Sequence, residues 1–358
     1  MVLSADGINK ALGGLVYATV WTLFYIDMKL RVLFRTKGSH KQGIGDVTSS
    51  LDLAEEFRER GHSVLFAINN DQSAMQLTSK KGFEFRVAEK LPEIEKCLDA
   101  KFFDVVILNQ INTLKEEALL FKKRSKILVT IDDTGESAAL AALRFNVLYP
   151  IADSYSDFKY IALSSSFQRK HEIPKDVSKG KIKTILVMQG GSDTYGYTPK
   201  IVRALYDITN NISINVVLGP NFSHYQELNN VLSKAPRGFN TVKGNDDLSD
   251  LMLKADLAIS AGGNTILELA CLGVPSVIVC AENFEVETAK RLEEKGFGIN
   301  LGFGEYVSES AIKDAVIQLL NNNTLLTQMS IKGRSLVDGK GKKRIVNRIT
   351  DFLEGCDV

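Results

Sequence analysis

Ser260-Ala-Gly-Gly-Asn-Thr-Ile-Leu-Glu-Leu-Ala-Cys-Leu-Gly-Val-Pro275 is the stretch on which the reading of this chain turns. It continues Ala255-Asp-Leu-Ala-Ile-Ser260, an apolar run of the kind found in a buried parallel strand. Gly262 and Gly263 allow a tight turn and a close approach of backbone to a ligand. Thr265 to Leu272 then has helical character, stopped by Gly273 and Pro275. The free N–H groups and positive dipole end of such a helix suit a phosphate. Glu268 lies one turn in, placed for its carboxylate to accept hydrogen bonds from a ribose diol. Alone, the motif reads equally well as a plain strand–helix turn with a surface glutamate.

Its surroundings repeat the pattern. From residue 29 short apolar runs alternate with amphipathic stretches. Leu30–Phe34, Ser63–Ala67, Glu84–Val87, Phe103–Leu108 and Lys126–Ile131 read as strands, with Gly43-Ile-Gly45 as a tight loop and Asp46–Arg60 as the first helix. A second series begins at Lys183–Met188 and the Gln189-Gly-Gly-Ser-Asp193 loop. It runs on through Ile212–Leu218, Phe239–Val242, Leu257–Ser260, Ser276–Val279 and Gly298–Leu301. Strands alternating with helices imply parallel, doubly wound sheets. The expected fold is therefore α/β, two Rossmann-like domains facing a cleft: 29–165 and 180–335, with an apolar extension over 1–28 and a closing helix over 336–358. In open sheets of this kind ligands bind beyond the carboxyl ends of the strands.

Size and composition agree. A chain of 358 residues suits two domains, and 44% hydrophobic with 24% charged residues is globular. A formal net charge of +1 offers no general attraction for nucleic acid. Cys97, Cys271, Cys280 and Cys356 lack paired metal-type spacing, and Cys271 and Cys280 read as small core residues. A reducing cytoplasm is the simplest compartment. Ala11–Ile26 is an uncharged, mostly apolar run of 16 residues, shorter than the roughly 20 of a membrane span. Three readings stay open for it: an interfacial anchor, a helix packed on the body or a partner, and an upstream start outside the fold. Phe102-Phe103 reads as core packing. Lys340–Arg344 reads as a solvated helix start, with anionic headgroups as the other reading.

Two Rossmann-like halves, with Gly43-Ile-Gly45 in the first and Gly262-Gly-Asn-Thr-x-x-x-Glu268 in the second, look like the GT-B fold of nucleotide-sugar enzymes. The closer resemblance is to the UDP-sugar hydrolase of pseudaminic acid biosynthesis and its spore-coat polysaccharide relatives. These are similar in turn to the lipid-linked murein glycosyltransferase. Arg35–Gly45, Ile131-Asp-Asp133, Ile185–Asp193, Ser260–Pro275 and Ala281-Glu-Asn283 carry it. The resemblance implies that Gly262, Gly263, Asn264 and Thr265 face the phosphates, Glu268 the ribose, and Gly219 with Val242 the base. It also implies that Gly43, Gly45, Gly190, Gly191 and Ser192 line the cleft, and that Asn283 contacts the sugar.

The departures are as informative. Where the hydrolases place a histidine as the base that activates water, this chain has Asp46, followed by Thr48 and Ser49 where Met and Arg are frequent. A family tyrosine after Phe103–Leu108 is missing, the local residues being Asn109, Gln110 and Ile111. Asp46 reads either as a base with a raised pKa or as the N-cap of its helix. His40, in the same loop, is a substitute base. Asp132-Asp133 reads as a structural pair at a strand end, and no metal ligands are expected.

The expected activity is that of an inverting, metal-independent glycosyltransferase of surface-glycan biosynthesis, using a nucleotide sugar, which the resemblance implies is a UDP-sugar, as substrate and no cofactor. A UDP-sugar hydrolase, a non-catalytic nucleotide-sugar binder and a nucleotide-sugar 2-epimerase are the alternatives. The expected partners are the donor, a sugar or lipid-linked acceptor, and a membrane surface touched through residues 11–26, with no nucleic acid. The expected location is cytoplasmic or peripheral at the inner face of the membrane.

Overall fold

The computed structural model describes residues 29–38, 44–98, 101–175, 182–208, 211–244 and 247–355. The expectations for the segment 1–28, His40, Gly43 and Cys356 fall outside these residues.

The first sheet is built from β1 (Arg31–Thr36), β2 (Ser63–Ile68), β3 (Glu84–Val87), β4 (Phe103–Asn109), β5 (Ser125–Ile131) and β6 (Leu143–Phe145), in the order β3-β2-β1-β4-β5-β6. All its neighbours pair in parallel. The second sheet contains β7 (Thr184–Met188), β8 (Ser213–Leu218), β9 (Phe239–Lys243), β10 (Leu257–Ser260), β11 (Ser276–Cys280) and β12 (Ile299–Phe303). Its order is β12-β11-β10-β7-β8-β9, again all parallel. Read from the other edge it repeats the first sheet, which makes the chain two Rossmann-like domains of the same winding. The order reverses between β1 and β4 and between β7 and β10. Loops leaving these strands separate there and open a crevice.

Continuous apolar runs such as Val105–Leu108 and Leu257–Ile259 become central strands because helices cover both faces. In the first half these are α1 (Gly45–Glu59), α2 (Gln72–Lys80), α3 (Leu91–Leu98) and α4 (Lys115–Lys122), while α5 (Ser165–His171) crosses to the second domain, where Phe167 joins Leu186 and Leu267 in its core. In the second they are α6 (Tyr197–Ala204), α7 (Tyr225–Leu232), α8 (Ser249–Lys254), α9 (Asn264–Leu272), α10 (Glu285–Glu294), α11 (Glu309–Leu320) and α12 (Asn323–Leu336). The last helix, α13 (Gly341–Leu353), returns to the first domain, where Ile345, Val346 and Ile349 join Val32, Phe34, Leu51 and Phe57 in one core.

The structure departs from expectation in several places. The strand β6 and helices α5, α7 and α12 have no strong signal, β6 being only three residues long. The closing helix begins at Gly341 rather than at 336, because Leu336 ends the preceding helix, Val337 is extended and Gly339 turns at φ +72°. Phe102 is 42% exposed, and only Phe103 of that pair is core. Lys340–Arg344 is a helix start that is solvated only at Lys340 and Lys343. Lys342 is buried and donates to Ser165 Oγ at 2.8 Å, and Arg344 forks onto the Asp338 carboxylate. Cys271 and Cys280 are buried, and burial pushes both thiols up to about 12.

Candidate active site

The loops at the carboxyl ends of the two sheets meet. The start of α1 faces the start of α9 so closely that a Cβ added at Gly45 would lie 3.4 Å from Asn264 Nδ2. Neither helix has a side-chain cap: Ile44 and Gly263 occupy the cap positions without side-chain hydrogen bonds. Two sets of uncapped N–H groups, and two positive dipole ends, therefore point into the same crevice.

The α9 loop shows why glycine stands at 262 and 263. Neither residue adopts positive φ. What excludes a side chain is Glu285, the first residue of α10. A Cβ at Gly262 would lie 2.9 Å from Glu285 Cβ, and one at Gly263 2.9 Å from Glu285 Oε1. Within the protein, then, Gly262 makes room for the Cβ and carbonyl oxygen of Glu285 and Gly263 for its carboxylate. Glu285 Oε2 accepts from the amides of Gly262 (3.1 Å), Ala281 (2.8 Å) and Glu282 (3.4 Å). It ties the loop after β10 to the loop after β11 that carries Asn283. Burial raises its pKa, against the lowering effect of those amides. The sequence reading passed over Glu285, whose partners Ala281 and Glu282 lie in its own loop while Gly262 comes from a different strand end. Its one local signal is an acidic residue in the first turn of a helix. Asn283 itself is exposed.

The helix α9 begins one residue earlier than expected, at Asn264. Ile266, Leu267, Leu269, Ala270, Cys271 and Leu272 are buried, while Asn264, Thr265 and Glu268 stay partly open. Gly273 closes the helix at φ +70°. Glu268 does not stand in free solvent. Burial first, then the negative charges of Asp52 on α1 and of Asp247, push its carboxyl up to about 8.

After β7, Gly190 has φ +71° and faces open space, as does Gly191. Gly219, at the end of β8, lies backbone to backbone on this loop. A Cβ there would meet Gly191 O at 2.3 Å, and Asn221 N donates to the same oxygen at 3.0 Å. Ser192 Oγ is 3.1 Å from Thr194 Oγ1. Val242 is half-buried on β9, the strand next to β8. Gly190, Gly191 and Gly219 are thus assembled into one side-chain-free surface at adjacent strand ends.

On the first domain, Asp46 is the second residue of α1 and does not cap it, which corrects the N-cap reading. The helix starts at Gly45, so a carboxylate at 46 is past the cap position. Burial first, then the charges of Asp132 and Asp133, push Asp46 up to about 7. Asn109, at the end of β4, donates to Asp46 O (3.0 Å) and lies 2.9 Å from both Ser49 Oγ and Ser50 Oγ. The residue standing where the hydrolase tyrosine was sought is a lock on the start of α1.

Asp132 and Asp133 are both structural. Asp132, at φ +48°, accepts the amide of Leu148 at 2.8 Å. Asp133 Oδ1 accepts from Thr113 N (3.2 Å) and Gly135 N (2.8 Å), and Oδ2 from the Ser137 hydroxyl. Asp132 thereby holds the segment that joins the domains, which α10 grips from the other side. There Thr288 Oγ1 donates to Leu148 O, and Arg291 donates to Val147 O. Tyr149 follows, its ring edge-on to Phe284 with centroids 5.1 Å apart. Burial first, then Asp132, Asp46, Glu285 and Glu282, raise its phenol, which places Tyr149 between the acidic groups of both walls. The sequence reading missed it. A pocket no larger than about one water remains between Asp46, Ser49, Asp132, Leu148, Tyr160 and Asn264.

Comparison with known proteins finds similarity to glycosyltransferases in sequence and in fold. Residues 184–349 match the family model of the glycosyltransferase family 28 C-terminal domain. Along most of its length the chain is similar to the spore coat polysaccharide biosynthesis protein SpsG of Bacillus subtilis strain 168, 26% identical over 335 residues, 88% of this chain and 97% of that protein. It is also similar to the UDP-N-acetylglucosamine–N-acetylmuramyl-(pentapeptide) pyrophosphoryl-undecaprenol N-acetylglucosamine transferase of Halothermothrix orenii, 18% identical over 363 residues, 87% of this chain and 97% of that protein. Among solved structures, MurG of Acinetobacter baumannii superposes with a TM-score of 0.64 at 15% identity, covering 90% of this chain and 99% of that one. The two-domain architecture is that of the GT-B fold, and the second domain matches the glycosyltransferase type. Among the described residues no helix is long and apolar enough to cross a membrane.

Proposed function

We propose that this chain is an inverting glycosyltransferase of surface-polysaccharide biosynthesis that uses a nucleotide sugar, a UDP-sugar by preference, as donor. The observation that carries this reading is the convergence of two uncapped helix starts, α1 at Gly45 and α9 at Asn264, on one crevice. Their N–H groups and dipole ends suit a diphosphate, and they stabilise the charge that develops on it as the anomeric C–O bond breaks. That stabilisation requires no metal ion and no resident cofactor. The Gly190–Gly191–Gly219 surface offers a flat floor for the base, and Glu268 is one turn from the phosphate site for the ribose. Asp46, held near neutrality, accepts the proton of the attacking hydroxyl. Similarity to SpsG supports the placement in polysaccharide biosynthesis, and similarity to the murein transferases supports a sugar or lipid-linked acceptor at the cytoplasmic face of a membrane.

One observation favours a second reading. The pocket beside Asp46 is water-sized, and a water activated there would make the chain a UDP-sugar hydrolase. Thermal unfolding with UDP, CDP and GDP tests the shared premise. A ligand at a hundred times its dissociation constant adds about 2.7 kcal/mol of stability. UDP is expected to raise the midpoint selectively, and Glu268→Ala to abolish the rise. No rise with any nucleotide sinks both readings. Product analysis with a UDP-sugar, with and without a glycan acceptor, then separates transfer from release of free sugar.

A further inference from the structure

Beyond the crevice, at the carboxyl edge of the second sheet, two loops bring aromatic rings together. Tyr195 follows β7, and Phe303 ends β12 with Tyr306 just after it. Tyr195 lies nearly parallel to the buried Tyr197, centroids 5.8 Å apart at 21°, and edge-on to Phe303 at 6.2 Å. Phe303 in turn meets Tyr306 at 5.8 Å. Tyr195 is 51% exposed and Tyr306 82%, although both rings belong to a packed cluster. Lys200 braces that cluster from beneath, donating to Gly304 O at 2.7 Å. Exposed aromatic patches of this kind on a folded surface mark interaction sites.

The shelf is continuous with the crevice. Tyr195 donates its hydroxyl to Glu282 Oε2 at 3.1 Å, and the Glu282 amide is one of the groups held by Glu285, which also holds Gly262. Asn283 and Phe284 come next in the chain, and Phe284 packs on Tyr149 in the cleft wall. Rings that present apolar faces beside a carboxylate match one chemistry in particular. A pyranose offers a face of C–H groups to an aromatic ring and a rim of hydroxyls to an acceptor oxygen. A lipid surface would use the rings and leave Glu282 facing apolar groups.

We propose that Tyr195, Tyr306 and Glu282 form a saccharide subsite that seats a sugar ring of the acceptor glycan, outside the position that takes the donor sugar. This inference rests on the nucleotide-sugar reading and deepens it: the acceptor is an oligosaccharide long enough to reach from Asp46 past Asn283 to the shelf. From the phosphate-facing helix start the shelf is reached only through successive contacts, Gly262 to Glu285, Glu282, Tyr195 and on to Phe303 and Tyr306, and that remove assigns it to the acceptor rather than to the transferred sugar.

The test compares the full-length protein with its Tyr195→Ala/Tyr306→Ala and Tyr195→Phe variants. Each is measured for thermal stabilisation by UDP and by UDP-N-acetylglucosamine, and for retention on an array of bacterial surface oligosaccharides at saturating UDP. The double alanine variant is expected to lose about tenfold or more in saccharide retention, since one stacked ring contributes up to about that factor. Its UDP response should be unchanged, which also shows that it is folded. Tyr195→Phe keeps the ring and should keep most of the retention. Equal retention by the alanine variant, or no retention by a wild-type protein that responds to UDP, overturns the subsite. A selective loss of UDP-N-acetylglucosamine over UDP affinity in the alanine variant also overturns it, assigning the rings to the donor sugar. Retention that needs the tyrosines in a protein blind to every nucleotide would keep the saccharide subsite and overturn the donor reading instead.

Discussion

Glu285 fills, with its Cβ and carbonyl oxygen, the space that a side chain at Gly262 would need, and its Oε2 accepts the Gly262 amide at 3.1 Å. This contact links the α9 loop to the Asn283 loop through one buried group with three amide donors. Glu285→Ala is expected to cost about 1–3 kcal/mol, the range for leaving buried donors unpaired. Gly262→Ala forces Glu285 or the loop to move. Both should weaken UDP binding by at least tenfold, while Glu285→Gln, which keeps an acceptor oxygen, should retain most of the stability. Urea denaturation and nucleotide titration read the two effects separately. A Gly262→Ala protein with wild-type UDP affinity would show that the loop has slack that the contact distances deny.

Stability should decline from mildly acid to mildly alkaline pH. Burial pushes Asp46 and Asp52 from 3.8 to about 7 and Glu268 from 4.5 to about 8. In each case the folded state holds the proton more tightly than the unfolded chain. The contribution is therefore fully present below the unfolded values and is lost as pH climbs through the folded ones. The window is roughly pH 4 to 8 on those shifts. Asp104, Asp247 and Asp338 are shifted the other way and oppose it only at the acid end. Urea midpoints should be higher at pH 5.5 than at pH 8, and Glu268→Gln should flatten the slope. A midpoint that rises over this range contradicts the placement of Glu268 against Asp52 and Asp247.

Asp46 gives a kinetic counterpart. As a base it must be ionised, so kcat/KM should rise with pH and level off above about 7. Asp46→Asn should lower kcat by about 10²–10⁴. UDP binding should survive, because the helix start is not capped by this side chain. Asp46→His, with an ordinary pKa of about 6.5, should shift the profile and raise release of free sugar from a UDP-sugar. A flat profile with an active Asp46→Asn protein would remove Asp46 from the chemistry.

These sites differ in how far they can be read from sequence. Leu257–Ser260 followed by Gly262 announces a buried strand and a turn because both are local patterns, visible as hydrophobicity and as glycine. The topological repeat follows from such runs, and so does the crevice. Glu285 is invisible to that logic. Its partners, Gly262 and Ala281, belong to loops after different strands, and only the assembled sheet brings them together. Asp46 shows local reasoning failing by two residues. Aspartate near a helix start is a good cap, but α1 begins at Gly45 with Ile44 in the cap position, and the carboxylate falls beside Asp132 instead. Lys342 fails the same way. A basic run reads as solvated until α13 folds back and places the ammonium against Ser165.

The ion pair of Arg35 and Glu117 supports the first wall of the crevice and is the strongest candidate for a stability lesion. Arg35 sits on the central strand β1 with its side chain fully buried, and Glu117 on α4 is 6% exposed. The guanidinium donates from Nε to Glu117 Oε1 at 2.6 Å and from Nη1 to Ala88 O at 2.9 Å. It thereby fastens β1 and the end of β3 to α4, just before the chain leaves β1 toward Asp46. Removing one partner leaves a buried charge uncompensated, so Glu117→Leu should cost about 3–5 kcal/mol. Replacing both ions by apolar groups of similar volume is often neutral or better. The double variant Arg35→Met/Glu117→Leu is therefore expected to recover most of that loss. The four proteins form a double-mutant cycle in urea, and the coupling should be strongly non-additive. Additive losses would mean that water reaches the pair and that the guanidinium is solvated without Glu117. Recovery of stability without recovery of activity would show instead that this pair, in joining β1 to α4, sets the angle at which Asp46 meets the crevice.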